Sequence, residues 1–596
     1  MQDLLALNHY FRRYSGAMWA GIVCIVLSNI AGVYVPVFVR QGIDDSVYLV
    51  QMAGDLGHNQ LAGTIFTGAL WFGLLVVAAS AVKGVFMYLM RQYIVVVSRK
   101  VEYDLKNDIY AHYQKLSTGF YRRNYTGDMM ARIGEDVSNV RMYVGPAIMY
   151  FVNIIFTFIT VVFQMLRTSP SMTLWVLLPL PVLSYSIYVV SKIINRRNTA
   201  IQTQLSTLTT QAQETFAGIR VIKSFGAGKW FNLHFNQAGK EYHRLNMRLA
   251  LVNSLFFPLM MLLVGLSMLI VLYLGGIQAA HGRFTTGNIA EFVIYLNMLI
   301  WPVASLGWTT ALVQKAAASQ KRINEFLDTE KEPVHTGTAP FTFEQSIQFS
   351  NVNFTYPGSS KPALDGISIE LKKGKILGIT GRTGSGKSTI AQLLMRQYEA
   401  GSGKILIDGK PLQEMDMYDF RRHVSYIPQD VFLFSETIAE NIAFGLEEGT
   451  ATRGQILAAA TAAGLTRDID AMPQGLDTML GERGVTLSGG QKQRVSIARA
   501  LIRQAGLYVF DDCLSAVDAR TEQEIIRHFV QSLHGKTAII ISHRLAPLAF
   551  ADEILVVQNG RIAEQGTHQD LLAAGGEYAN LYKMQMHENT AAVPAE

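Results

Sequence analysis

Long apolar runs crowd the first part of the chain and vanish from the rest. They occupy Met18–Val39, Ile65–Leu89, Ile148–Leu166, Thr173–Val190, Leu251–Leu274 and Ile289–Val313. A hydrocarbon layer of ~30 Å takes about 20 residues of helix to cross, and a helix can cross it because it satisfies its own backbone hydrogen bonds. Six membrane-spanning helices are therefore expected, the third and fourth joined by a short loop at Pro170. Long polar segments with few helix breakers separate spans two and three, and spans four and five. Continued as helix at 1.5 Å per residue, each would project on the order of 35–40 Å beyond the membrane. Both read as helical hairpins, turning near Ser117–Gly127 and Ser224–Trp230, where Gly119, Asn124, Gly127, Gly226 and Gly228 fall. After Lys331-Glu332-Pro333 the pattern shortens to strand-like alternation, as in Ile347–Phe354. This places a membrane domain at 1–330 and an α/β domain at 341–590.

Charge sets the orientation. Only 16% of residues are charged and 49% are hydrophobic, against about 25% charged in soluble domains. Arg91, Arg99, Lys100, Lys106, Lys115, Arg122, Arg123, Arg132 and Arg141 line the first hairpin, and Lys192, Arg196, Arg197, Lys223 and Arg248 mark the second. Gln41–Leu61 has no basic residue and Gly275–Asn288 has only Arg283. Positive segments stay cytoplasmic, so both hairpins, the N-terminus and everything after span six belong there. The net charge of +6 is thus a topology signal, and no nucleic-acid partner is needed to explain it. Cys24 and Cys513 fall in an apolar run and a strand-turn segment, which argues against a structural disulfide. The first run lacks a small-residue cleavage site and is long enough to span, so no cleaved signal peptide is expected. Within the spans, Lys83 reads as snorkelling to the inner boundary rather than functional. Glu291 reads as a solvated helix start rather than a cation site or outer gate. Pro36, Pro179, Pro181, Pro258 and Pro302 are expected to kink their helices. Phe256, Phe257, Met260, Met261 and Trp301 read as packing or lipid contact more than as the lining of a substrate cavity.

Chemistry appears in the second domain. Gly381-Arg382-Thr383-Gly384-Ser385-Gly386-Lys387-Ser388 follows the apolar strand Ile376–Thr380 and opens the helical run Thr389–Arg396. That context is what a phosphate-binding loop requires: glycines let backbone N–H groups curl around phosphates, and the helix N-terminus adds partial positive charge. Lys387 would reach the β- and γ-phosphates of ATP, and the Ser388 hydroxyl would bind Mg²⁺. A second buried strand, Leu507–Phe510, ends in Asp511 and Asp512. Asp511 is placed to hold Mg²⁺ through water, and Asp512 to orient or activate the attacking water.

Leu487-Ser488-Gly489-Gly490-Gln491 narrows the reading, because it resembles the signature of ATP-binding cassette (ABC) transporters. Tyr356, in Phe354-Thr355-Tyr356-Pro357, is similar to the aromatic that stacks on adenine. Gln429 is similar to the glutamine that senses Mg²⁺ and contacts the membrane half. Ser515-Ala516-Val517-Asp518 resembles the D-loop, His543 the switch histidine, and Gly481-Glu482-Arg483-Gly484 the exporter X-loop. Phe120-Tyr121, Thr126-Gly127-Asp128 with Arg132, and Glu214 with Gly218–Lys223 are similar to exporter intracellular loops. The resemblance implies the type IV exporter fold, a six-helix membrane domain with a cytoplasmic α/β nucleotide-binding domain. It implies coupling helices at the two hairpin turns. It also implies a head-to-tail dimer, in which Ser488, Gly489, Gly490 and Gln491 of one subunit complete the ATP site built on the other's phosphate loop, including Thr389.

One position departs from the family pattern, where glutamate usually follows the Mg²⁺-binding aspartate. Asp512 is a methylene shorter, so its carboxylate falls ~1.5 Å short of the water, and a ~1 Å misplacement can cost ~10²-fold in rate. Either Asp512 works all the same, or this subunit binds ATP and hydrolyses it poorly, as in heterodimeric multidrug exporters. The expected partner is then a second half-transporter carrying glutamate, with a homodimer as the alternative. With no extracellular binding or peptidase domain evident, amphipathic drugs or lipids are the expected cargo. A bacterial inner membrane is the expected location. Import through the same fold, lipid flipping, and ATP-gated regulation without pumping are the alternatives to export.

Overall fold

The computed structural model describes residues 2–52, 58–332, 337, 339–447, 449–514 and 519–591. The chain divides into two compact units, Met1–Gln114 with Thr126–Thr329, and Lys115–Tyr125 with Glu330–Glu596. The tip of the first hairpin thus groups with the second unit.

The first unit is helical. Its main helices are α1 (Ser15–Met52) and α2 (His58–Tyr113). After α3 (Thr118–Arg123), which belongs to the second unit, come α4 (Thr126–Thr168), α5 (Pro170–Leu177), α6 (Pro179–Ala217), α7 (Ile219–Ser224), α8 (Gly228–Ala280) and α9 (Thr286–Leu327). Among the described residues, five helices are long and apolar enough to cross a membrane: α1, α2, α4, α8 and α9. The fourth expected span, Thr173–Val190, falls on α5 and the start of α6. The helix breaks at Leu178, because Pro179 has no N–H to give and fits best in the first turn of a new helix. Pro36, Pro258 and Pro302, by contrast, lie inside continuous helices. At 1.5 Å per residue, α2 and α8 are each on the order of 80 Å long, well past a ~30 Å hydrocarbon layer.

Small residues let these helices approach. Gly145 packs on Ser98 and Gly21 on Ile94, so closely that an added Cβ would stand 2.7 and 2.5 Å from its neighbour. The Lys83 stem lies across Gly32 in the same way. Outward side chains such as Trp19, Trp71 and Leu269 stay apolar though exposed, as lipid contact requires. Asn29, Asn153 and Thr157 satisfy one another, with Asn29 Nδ2 donating to Asn153 Oδ1 at 2.9 Å and Thr157 Oγ1 donating to Asn29 Oδ1. Glu291 corrects the expectation of a solvated helix start. Its side chain is fully buried, accepts from Arg40 Nη1 at 3.2 Å and from the Tyr295 hydroxyl at 3.0 Å. The partner lies 251 positions away, where no sequence window connects the two.

The second unit holds two sheets. An antiparallel sheet is formed by β1 (Ser346–Phe354), β2 (Leu364–Lys372), β4 (Ser402–Ile407) and β5 (Lys410–Pro411), in the order β2-β1-β4-β5. The other contains β3 (Ile376–Thr380), β6 (Val424–Ile427), β7 (Leu507–Asp511), β8 (Thr537–Ile541), β9 (Glu553–Gln558) and β10 (Arg561–Gly566), in the order β10-β9-β3-β8-β7-β6. Its five neighbours from β9 to β6 run parallel. Every residue of β3, β7 and β8 is buried, as apolar strands covered on both faces should be. Cys24 and Cys513 are buried free thiols.

Candidate functional site

The site assembles beyond the carboxyl ends of β3, β7 and β8, where an open α/β sheet leaves backbone and side chains pointing into one crevice. The loop after β3 turns on Gly381, Gly384 and Gly386, with φ of 143°, 78° and 105°. A Cβ on Gly381 would stand 2.1 Å from the Val557 carbonyl oxygen, and one on Gly386 2.4 Å from that of Ala363. Only glycine fits either place. The loop feeds α10 (Lys387–Leu394). Arg382, Thr383 and Gly384 are exposed at its tip, whereas the Ser385 hydroxyl is buried with no hydrogen-bond partner among the described residues. Such an orphan inside a glycine-built cradle fits an oxygen-rich anion.

Lys387 Nζ donates to the carbonyls of Gly381 (2.7 Å) and Arg382 (2.9 Å), bridging the loop. Burial lowers its pKa, against the opposing pull of Asp512 and Asp511. Ser388 Oγ donates to Asp511 Oδ1 at 2.7 Å. Asp511 is 1% exposed. Burial pushes its pKa up to about 6, with Asp512 and Asp430 adding and the Ser388 hydrogen bond and Lys387 opposing. A carboxylate held this way wants a cation. The Ser388 hydroxyl and the Asp511 carboxylate offer oxygen donors of the kind Mg²⁺ takes, and Gln429 is exposed just past the end of β6, the strand beside β7.

Asp512 takes a left-handed backbone conformation (φ 50°), and its oxygens accept from His543 Nδ1 at 2.8 and 3.0 Å. Because a carboxylate only accepts, Nδ1 carries the proton in this pair. Tyr356 sits at the side of the loop. Its hydroxyl donates to Gln392 Oε1 at 2.9 Å and lies 3.0 Å from the buried Thr389 Oγ1, tying the ring to α10. Phe354 and Tyr398 meet that ring edge-on. Sequence reading did not single out Tyr398, Gln392 or the place of Arg122. The Arg122 guanidinium of α3 lies 5.8 Å from the Tyr356 ring centre and 5.9 Å from that of Tyr398, and donates to the Tyr398 hydroxyl at 3.2 Å. An arginine at a hairpin tip was visible, but its partner lies 276 positions on.

Ser488 caps α11 (Gly489–Leu501). Its hydroxyl accepts from the Gln491 N–H, while Gln491 Oε1 accepts from the Ser488 N–H, a reciprocal cap. Gln491 also donates to Asp468 at 3.0 Å, so the segment is rigid, yet Ser488 and Gly489 are exposed and Gly490 half-buried. Among the described residues no hydrogen bond or ion pair joins Ser488–Gln491 to the phosphate loop. The residues 515–518 likened to a D-loop lie outside the described ones. Glu482–Gly484 form a single turn.

Residues 18–303 match the ABC transporter transmembrane region and residues 364–515 the ABC transporter domain. The chain is 36% identical over 585 residues to the probable multidrug resistance ABC transporter ATP-binding/permease protein YheI of Bacillus subtilis, covering 98% of this chain and 97% of that one. It is 34% identical over 514 residues to an ATP-dependent lipid A-core flippase of Shewanella frigidimarina, covering 86% of each. A solved structure of a bacterial Atm1-family ABC exporter with ATP bound is similar at a TM-score of 0.78 and 28% identity, over 99% of this chain and 100% of that one.

Proposed function

Because this chain belongs to the ABC transporter family, joining an exporter-fold membrane domain to an ATP-binding domain, we propose that it exports amphipathic molecules, drugs or lipids, across a bacterial inner membrane with its ATP-binding domain in the cytoplasm. The observation that carries the reading is the 2.7 Å bond from Ser388 to Asp511, which closes the phosphate loop onto the strand-end carboxylate.

Each residue then has a task. The N–H groups of Gly381–Ser388 and the start of α10 face the phosphates of ATP, Lys387 exchanges its carbonyl partners for phosphate oxygens, and Tyr356 offers its ring to adenine. Ser388, Asp511 and Gln429 would hold Mg²⁺, whose charge offsets that of the phosphates. Asp512 and His543 face the attacking water, with His543 keeping Asp512 oriented. Ser488, Gly489, Gly490 and Gln491 act on the site of a second subunit, and their exposed, pre-capped geometry suits that role.

The reading extends to Asp512. Its short side chain leaves this subunit's own site able to bind ATP and poor at hydrolysing it, and the competent site is built on a partner half-transporter with glutamate there. A homodimer is the alternative. The test reconstitutes the chain, alone and with candidate half-transporters, in vesicles supplied with Mg-ATP. Dye or fluorescent-lipid movement that stops on Lys387→Ala is the expected result, and no ATP-dependent movement across a broad panel would overturn it. Similarity to a multidrug resistance transporter supports a drug cargo and similarity to a lipid A-core flippase a lipid one, and the lipid arm of the panel decides between them.

A further inference from the structure

The last described helix, α12 (Glu577–Ala591), touches both loops of the proposed hydrolytic site. Its first turn is fixed by Glu564 of β10, which accepts from the N–H groups of Glu577 and Tyr578. Its own Glu577 accepts from Arg382 Nε of the phosphate loop at 2.7 Å. Tyr578 is fully buried, and Leu581 and Tyr582 pack on the same core. Residues 578, 581, 582 and 585 follow the i, i+3, i+4, i+7 spacing of one helix face, so an apolar residue is expected at 585. The residue is glutamine.

Gln585 uses both ends of its amide. Nε2 donates to the His543 carbonyl at 2.7 Å, and Oε1 accepts from the Leu545 N–H at 3.0 Å. The other side of this loop is held by the Arg544 N–H donating to Ser542 Oγ at 3.0 Å and by the ion pair of Arg544 with Glu522. One carboxamide therefore closes on the backbone on both sides of Arg544, at the residue whose imidazole orients Asp512.

We propose that Gln585 is a positioning residue for hydrolysis, clamping the His543 backbone so that its ring meets Asp512. The inference rests on the reading of His543 given above. Without the clamp, one side of the loop is free to pivot at Ser542, and a misplacement of ~1 Å at the imidazole costs up to ~10²-fold in rate. Nucleotide affinity is untouched, because among the described residues no hydrogen bond joins Gln585 to the groups that would hold phosphate.

The test uses the full-length chain with Asp512→Glu, reading kcat and KM for Mg-ATP together with amide hydrogen exchange across residues 541–546. Gln585→Leu should lower kcat about 10- to 100-fold with KM changed less than about twofold, and should speed exchange at Leu545. Gln585→Glu keeps the acceptor and loses the donor, so it should fall between. Unchanged exchange overturns the clamp, and so does a loss of nucleotide affinity in step with kcat, which would mark general damage to α12. His543→Ala in the same background separates the two ideas. If it leaves kcat intact, the role of His543 falls, while exchange at Leu545 still reports whether Gln585 holds the loop.

Discussion

Each unit buries a carboxylate almost completely, and the two are treated in opposite ways. Glu291, in the membrane helices, meets a guanidinium and a phenol, so its charge is answered within the fold. Asp511, in the nucleotide domain, receives one neutral hydroxyl, and Lys387 spends its own hydrogen bonds on loop carbonyls. The first is an arrangement complete in itself, of the kind that is strongly destabilised when one partner is removed. The second is under-neutralised, and its raised pKa records the tension. A buried charge the fold leaves unanswered is where a ligand is to be sought.

The sharpest way to break this contrast is to neutralise each carboxylate system in turn. In the Asp512→Glu background, Asp511→Asn should lower ATP hydrolysis about 10³-fold by removing the cation's ligand. The same change should leave thermal stability equal or higher near pH 7.5, since the folded group's pKa lies above its ordinary 3.8. The unfolded state then holds fewer protons between about pH 4 and 6, so stability from the neutral form is lost as pH rises through that window, and asparagine avoids the loss. Arg40→Met should do the reverse. It should cost about 3 kcal/mol in unfolding while ATP binding persists, and adding Glu291→Gln should return most of that loss in a thermal melt. Asp512→Glu should raise turnover about 10- to 100-fold if the missing methylene is what limits it. An unchanged rate would assign the limit elsewhere. The smallest effect is on pH. Mg²⁺ competes with a proton for Asp511, so the Mg²⁺ concentration needed for half-maximal nucleotide binding should fall about tenfold per pH unit up to about 6 and level off above it.

What could be read from residue order follows the same divide. The phosphate loop was legible because its demands are local: three glycines, a lysine and a serine within eight positions, between a buried strand and a helix. Asp511 was legible for a related reason, since the end of an apolar strand announces where a side chain must point. Five of the six expected spans and the two hairpin turns were legible from apolar length and helix breakers, whereas the fourth expected span is split at Leu178. Glu291 was not, because its meaning depends on Arg40 in another helix. Gln585 was visible only as a polar letter in an apolar stripe, with the loop it grips 40 positions or more away. The prolines were read as kinks, yet Pro179 starts a helix, a choice made by the break at Leu178 rather than by the residue itself.

The grouping of Lys115–Tyr125 with the second unit bears on how the protein is made. Arg122 reaches the exit of the ribosome 276 residues before Tyr398, a delay of roughly 14–55 s at ordinary rates of bacterial and eukaryotic synthesis. Through that interval the hairpin tip, including Phe120, which ends up buried, stands in water without its cover. The membrane helices on either side of it can thread and pair meanwhile, but the tip itself matures only when the nucleotide domain has been synthesised, making its docking one of the last steps of biogenesis.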